Sequence, residues 1–455
     1  MKIKPKVTVY ITNHNYGEYL VEAIESVLYQ TYDNFELIII DDGSTDNSRE
    51  LLKKYQQFDN VRIIYQQNSG LTISNNIALK QATGEFIVRL DADDYFDKNA
   101  LKILVNEFES EKIGLVFGDW YVVNQGGEIL GIEKRHDFER EVSLYDQPAH
   151  GACSMFRTEF LREIGGYDET ISRQDGFELW FRFIKKYEIR NINIPIFYYR
   201  KHGSSLTDKS EELLATRSYI YKKVVEQAEN IEEQDALAIF PIRGEKLDRR
   251  SNPFARISGD YLVDISIDNF LRAQRVREIV ISTPDKHLLE YIKLNYSRYP
   301  VKGHYRTPDI AYIGTTLKET MKLLQDELDI KSRFKVFATH SIESPFLDPH
   351  FIDSAVNVYS IFDVDTVISV LEDDSFYFTH DGGGMTPLNY SEDIIKYEKK
   401  KWYRNVTGFQ IRDMATYFSN FKMLGSKVGH IILDRKSAFT IKDELDLDIA
   451  NYLRQ

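Results

Sequence analysis

Between Val7 and Asp91 the chain alternates short apolar runs with amphipathic stretches. VTVYIT (Val7 to Thr12) reads as a strand. Leu20, Ala23, Ile24 and Val27 recur at helical spacing, which predicts a helix over roughly Tyr19 to Tyr29. FELIIID (Phe35 to Asp41) is almost continuously apolar, the pattern of a strand covered on both faces. The turn- and cap-forming DGSTDNS precedes a helix that starts near Arg49. VRIIY (Val61 to Tyr65), a helix near Ile73 to Gln81 and EFIVRLD (Glu85 to Asp91) continue the series. This alternation predicts parallel strands joined by crossover helices.

A second series begins halfway along. The polar helical stretch Glu211 to Asn230 leads into NIEEQD, read as a linker. ALAIFPIRGEK then starts as a strand and becomes a charged loop, and REIVISTPD (Arg277 to Asp285) and FKVFATH (Phe334 to His340) read as further buried strands. The pattern predicts two α/β, Rossmann-like domains, residues 1–210 and 234–455, with a helical linker over 211–233. No short repeat is present.

Composition narrows the function classes. The chain has 455 residues, 42% hydrophobic and 28% charged, as a globular protein of two or three domains would. Cys153 is the single cysteine, so no internal disulfide forms and a reducing compartment fits. A formal charge of −13 argues against nucleic acid as a partner. No apolar run approaches the ~18 residues of a spanning helix, and no apolar signal region follows Met1. A cytoplasmic protein is expected. Peripheral contact with the inner face of a membrane and the oligomeric state stay open.

The chemistry concentrates at strand ends. Asp41 and Asp42 end one strand; Asp91, Asp93 and Asp94 end another. In open α/β sheets ligands bind outside the carboxyl ends of the strands, so both clusters fall on the binding edge. Carboxylates this close repel, and a divalent cation with a nucleotide would offset the repulsion. Asp residues after a strand also cap helices routinely, and that reading competes for either cluster taken alone.

Residues 5 to 210 resemble the family 2 glycosyltransferases, which have a GT-A fold. The likeness runs from VTVYITNHNYGEYL through IIIDDGSTDNS, LDADD, HGACSMFRTEFLREIGGYDE (His150 to Glu169) and RQDGFELWFRF (Arg173 to Phe183) to YYRKHGSSLT (Tyr198 to Thr207). It implies an inverting enzyme that moves a sugar from a nucleotide diphosphate donor to a glycan or lipid-linked acceptor in surface-polysaccharide assembly. It implies that Thr12, Asn13 and Asp42 line the nucleoside pocket, that Asp91 faces the ribose, and that Asp93 reaches a bridging Mn2+ or Mg2+. Asp94 would support them or cap a helix. Arg200 and His202 fall where the family places groups near the diphosphate, His202 with a share in the metal; His150 is a weaker candidate. Asp175 would take the acceptor proton, although the family often shows Glu-Asp where this chain has Gln174-Asp175; a helix cap is the competing role. Asp42 favours a base with a ring N–H, and the family's habits favour UDP-sugars. GGYDE reads as a turn on the acceptor side, and Cys153 as a small buried residue.

Residues 236 to 455 resemble, more loosely, the acylneuraminate (CMP-sialic acid) cytidylyltransferases. The likeness rests on AIFPIRGEKLDRRSNPFARISGDYLV, VISTPD, RTPDIA, SIESPFLDPHFID, TVISV, NVTGFQI and FTIKDELDLDIA. It implies a nucleotide site around Arg243, Lys246, Asn252 and Arg306. The family's metal-binding aspartates appear here as Thr440 and Lys442, its loop lysine as Ser251, the basic loop is one residue short, and its glutamine is missing from ATHSIESP. These departures make the site vestigial and the domain catalytically degenerate; Asp443, Glu444 and Asp446 read as the first turn of the last helix. A bifunctional enzyme that also activates an acidic sugar with CTP is the alternative.

Overall fold

The computed structural model describes residues 4–134, 149–202, 210–312, 316–373, 375, 377–380, 382, 384–388 and 402–454. They fall into two compact units, one within Met1–Lys209 and Phe376–Lys400, the other within Ser210–Ser375 and Lys401–Gln455.

The first unit is built on a nine-stranded sheet. Its strands are β1 (Val7–Asn13), β2 (Phe35–Asp42), β3 (Val61–Gln66), β4 (Phe86–Asp91), β5 (Tyr95–Phe96), β6 (Ile113–Val123), β7 (Ile129–Glu133), β8 (Ser154–Arg157) and β9 (Glu188–Arg200). The order is β3-β2-β1-β4-β8-β6-β9-β5, with β7 paired to β6. β1 to β4 run parallel, as the alternation predicts, and β8 is antiparallel to both β4 and β6. From β1 the chain winds outward to β2 and β3, then returns to place β4 on the other flank of β1. That reversal opens a crevice at the carboxyl ends of β1 and β4, where such sheets take ligands.

The predicted helices form because their apolar stripes meet the sheet. Leu20, Ala23, Ile24 and Val27 of helix Gly17–Leu28 are buried against Val9, Ile11, Leu37 and Ile39. Each such side chain contributes roughly 1.5–3 kcal/mol of transfer free energy. The helix near Arg49 is only Ser48–Leu52, continued by a 3-10 turn Lys53–Tyr55.

Opposite the crevice, one carboxylate pins the amino ends of β1, β2 and the approach to β4. Glu36 accepts from Thr8 Oγ1 (2.6 Å), Thr83 N (2.7 Å) and Lys6 Nζ (3.1 Å). Burial works to raise its carboxyl, but the hydrogen bonds outweigh burial and hold it down at about 2.

The second unit carries a seven-stranded sheet in the order Val301–Tyr305, Val276–Thr283, Ala236–Pro241, Val336–His340, Trp402–Asp413, Thr366–Asp373, Val428–Ile432. The first four are parallel and repeat the outward-and-back winding of the first unit. The helix Ser210–Gln227 belongs to this unit rather than to a free linker: it packs on helix Pro349–Phe362, with Ser218 Oγ 2.8 Å from His350 Nδ1. The boundary therefore lies at Lys209/Ser210. Among the described residues no helix is long and apolar enough to cross a membrane.

Because the Glu36 carboxyl is depressed in the folded state, its contribution is present above about 4.5 and is lost as pH falls toward 2. Glu36→Gln is expected to lower the melting temperature at pH 7. The gap to the unsubstituted protein should narrow as the pH drops through that window, read by thermal melts at pH 7, 5, 4 and 3.

Candidate functional site

Thr12 lies opposite Asp91 in the β1–β4 register, and Asn13 opposite Asp41 in β1–β2. The predicted residues of the first site therefore meet along one edge. They are not equally available to a ligand. Thr12 is half-buried. Asn13 is buried and closes the turn after β1: its Nδ2 donates to Asp41 Oδ1 (3.1 Å) and Ser44 Oγ (3.0 Å), and its Oδ1 accepts from Tyr16 N (3.3 Å). The Asn13 side chain thus shapes the pocket rather than lining it.

Asp42 is also engaged. Its Oδ1 accepts from Gln66 Nε2 and Ser69 N, both at 2.7 Å, and its Oδ2 from Gly70 N at 2.8 Å. Gly70, at φ 92°, takes the left-handed turn that aims its N–H at the carboxylate just before helix Leu71–Gln81. Both Gln66 and the two amides escaped the sequence reading, because their link to Asp42 is made across two strands.

The acid cluster at the end of β4 is held apart by distinct partners. Asp91 pairs with Arg89 (Nε to Oδ1, 2.9 Å). Burial pushes its carboxyl up, to about 6, against the pull of Arg89. Asp93 Oδ2 lies 2.8 Å from His202 Nε2, and the His202 ring stacks on Tyr19 with centroids 5.5 Å apart. Asp94 is buried, accepts from Arg200 N (2.9 Å), and is raised well above the usual carboxylate range by burial and by Asp93. It braces the end of β9 through that amide.

Arg200 departs from expectation. Its side chain is 3% exposed. Its guanidinium donates to the carbonyls of Asp93 (3.0 Å) and Gln125 (2.7 Å) and to Glu22. It also lies over the rings of Tyr19 and Tyr95. A guanidinium so occupied braces the Asp93 backbone. Nothing local in the sequence signals this, since the partners come from three separate segments.

Asp175 opens helix Asp175–Ile184 and is 8% exposed. The residue at the cap position is Gln174, in a left-handed conformation and with no capping side chain, so Asp175 is not the helix cap. Its Oδ2 accepts from Arg89 Nη1 (2.7 Å) and Asn75 Nδ2 (2.9 Å). Arg89, buried in an otherwise apolar strand, bridges the Asp91 and Asp175 carboxylates. The sequence carried that signal: a charge inside a buried strand requires partners. Two other groups crowd here. The GGYDE turn brings Tyr167, whose hydroxyl lies 3.2 Å from that of Tyr10 and whose phenol burial pushes up to about 12. His150 packs among Trp120, Phe197 and Tyr199. Cys153 is buried as expected, and burial raises its thiol. Gly203–Thr207 of the YYRKHGSSLT stretch lie outside the described residues.

In the second unit, Arg243 follows the strand Ala236–Pro241 and Arg306 follows Val301–Tyr305, so both sit at carboxyl ends of parallel strands. Arg306 is 4% exposed; Nη1 donates to Thr320 Oγ1 (3.0 Å), while Nε and Nη2 are buried without a hydrogen-bond partner among the described residues. Burial, with Arg243 nearby, lowers it to about 10. Lys246 is exposed, and Asn252 Oδ1 accepts from Phe254 N within its loop. Thr440 Oγ1 lies 3.2 Å from Ser344 Oγ. Asp443 caps the last helix, Glu444–Leu453, and Asp446 accepts from Lys442 N; these acids form the first turn of that helix, as expected.

Among the described residues no three His, Cys, Asp or Glu side chains converge as a metal cage. The Asp93–His202 pair in the first unit still fits a hard divalent cation that keeps open positions for phosphate oxygens. Mg2+ and similar ions are commonly held by one or two protein ligands plus substrate phosphates.

The first unit is an α/β domain with acids at the carboxyl edge of its parallel strands, the edge at which open α/β sheets take ligands. Residues 8–165 match the family described as glycosyl transferase family 2, and the N-terminal region is a domain of that family. An uncharacterized glycosyltransferase of Nostoc sp. is 41% identical over 214 residues, 44% of this chain and 66% of the relative. The chondroitin synthase of Pasteurella multocida is 28% identical over 229 residues, 50% of this chain and 23% of the synthase. Among solved structures, S. aureus TarS 1-349 in complex with UDP-GlcNAc is 21% identical with a TM-score of 0.43, over 49% of this chain and 67% of that one. This chain thus spans two thirds or less of the length of the curated relatives named.

Proposed function

We propose that the chain is an inverting, metal-dependent glycosyltransferase that moves a sugar from a nucleotide diphosphate donor, a UDP-sugar first, to a glycan or lipid-linked acceptor. The observation that carries this reading is that Arg89 bridges the candidate base Asp175 to Asp91, two residues before Asp93 of the metal-competent Asp93–His202 pair. Asp175 has its Oδ2 anchored by Arg89 and Asn75 and no hydrogen bond to Oδ1 among the described residues. The family 2 domain and the likeness to a named polysaccharide synthase support it. Assembly of a surface polysaccharide at the cytoplasmic side of a membrane is the setting this reading implies.

The chemistry follows from those groups. Thr12 and Asp42 form the nucleoside end of the crevice, and Asp91 meets the ribose. Asp93 and His202 would hold Mn2+ or Mg2+, which when bound supplies positive charge against the charge developing on the departing diphosphate. Asp175 accepts the acceptor's hydroxyl proton as its oxygen bonds to the anomeric carbon and the bond to the diphosphate breaks. Attack opposite the leaving group inverts the configuration. Arg200 braces the Asp93 backbone, and Asp94 braces the end of β9.

A second reading concerns the second unit. The buried, half-unpartnered Arg306 beside Arg243 favours a vestigial nucleotide-phosphate site on a cytidylyltransferase-like fold. Thr440 and Lys442 replace two anionic ligands by a neutral group and a cation, so the unit does not perform nucleotidyl transfer.

Asp93→Asn is expected to abolish nearly all transfer and to weaken manganese-dependent binding of UDP, measured by calorimetry with and without the metal; unchanged turnover and metal dependence would make the acids structural. Asp175→Asn should leave UDP affinity nearly intact and lower turnover by roughly 10²–10⁴-fold, the usual loss with a general base. The reverse pattern would move Asp175 to the donor site. The full chain incubated with CTP, magnesium and a panel of nonulosonic acids should release no pyrophosphate above background. Turnover lost on Arg243→Ala would make the enzyme bifunctional.

A further inference from the structure

We propose that Arg89 is a positioning residue that fixes the orientation of Asp175 and limits its distance from the donor-side acid Asp91; this rests on the reading of Asp175 as the base. Arg89 is 5% exposed and lies in β4, one residue before the last apolar position of the strand. Its Nη1 donates to Asp175 Oδ2 at 2.7 Å, and its Nε lies 2.9 Å from Asp91 Oδ1 as an ion pair without the angle of a hydrogen bond. One planar cation therefore spans a carboxylate from the sheet and a carboxylate from helix Asp175–Ile184. The guanidinium holds Asp175 by a directed, charge-assisted hydrogen bond and Asp91 by charge, so a single cation between the two acids limits how far they can move apart.

The surroundings are built to keep it there. A Cβ on Gly151 would lie 2.4 Å from Arg89 Nη2, so the glycine supplies the space the guanidinium fills. The Arg89 carbonyl accepts from Cys153 N at 2.8 Å, which ties the strand to the segment carrying Gly151. Asn75 Nδ2 donates to the same Asp175 oxygen as Arg89 does. With Oδ2 doubly held, rotation of the carboxylate is blocked and Oδ1 is the oxygen left for an acceptor hydroxyl. A base held in this way gains from orientation, since small displacements at a reacting centre cost much of the rate.

The test uses the full chain. Binding of UDP with manganese is read by calorimetry, and turnover by UDP release from a panel of UDP-sugars. Arg89→Met should lower turnover by about 10²-fold or more while UDP affinity changes by less than about threefold, and Arg89→Lys should recover part of the loss. In the Asp175→Asn background, Arg89→Met should cost nothing further, because a residue that acts through Asp175 has nothing left to position. Arg89→Met alone leaves buried Asp175 and part-exposed Asp91 without their cation and could fail to fold; Arg89→Lys and the comparison of the double variant with Asp175→Asn then decide the matter. Losses that multiply in the double variant, or UDP affinity falling in step with turnover, would overturn the role of Arg89 while leaving the glycosyltransferase reading intact. A chain that neither binds UDP with manganese nor turns over any UDP-sugar would overturn that reading and the inference with it.

Discussion

Three carboxylates within four residues at the end of a buried strand repel one another, and the first site is arranged around offsetting that repulsion. Each acid has a different partner: Arg89 for Asp91, His202 for Asp93, a backbone amide for Asp94. The partners come from β4 itself, from the segment just past β9 and from the last residue of β9. The acids therefore do more than await a ligand. Through these partners they tie β4 to the end of β9.

Much of this was legible in the sequence. The apolar runs located β1 to β4, and the parallel order followed from the intervening helices. Placing Asp42 and Asp91 at strand ends put them on a common edge, where the structure has them. What could not be read was the use made of each side chain. Asn13, Asp42 and Arg200 carry the residue types that a ligand pocket wants, yet their hydrogen bonds go to Ser44, Ser69 and Gln125. Those partners are set by folding, not by spacing. Arg89 shows the opposite case. A lone cation within FIVRLD was visible, but its meaning appeared only once Asp175, far along the chain, stood beside it.

The second unit repeats the winding of the first with a different pattern of charge. Its first four strands wind as those of the first unit do, and its charged residues again gather at carboxyl ends. Here the charges are positive. Arg306 is buried with two nitrogens unmatched among the described residues, a condition that leaving a polar group without a partner makes expensive. The helix Ser210–Gln227, polar enough along its length to read as a connector, packs instead on Pro349–Phe362 and extends the unit's own core.

The hydrogen bonds already made by Asp42 have a consequence in counting. A carboxylate offers about four lone-pair positions. Gln66 and Ser69 fill the two on Oδ1, and Gly70 takes one on Oδ2. One position is left. A ring that presents a single N–H beside carbonyl oxygens can satisfy it without displacing anything. A ring that presents an N–H and an adjacent amino group would bring two donors to one vacancy, and either an amide of the Ser69–Gly70 turn or the ring itself would go without a partner. If a base meets Asp42, as in the proposed function, the turn that holds Asp42 would leave it room for one new donor and so act as a valence filter.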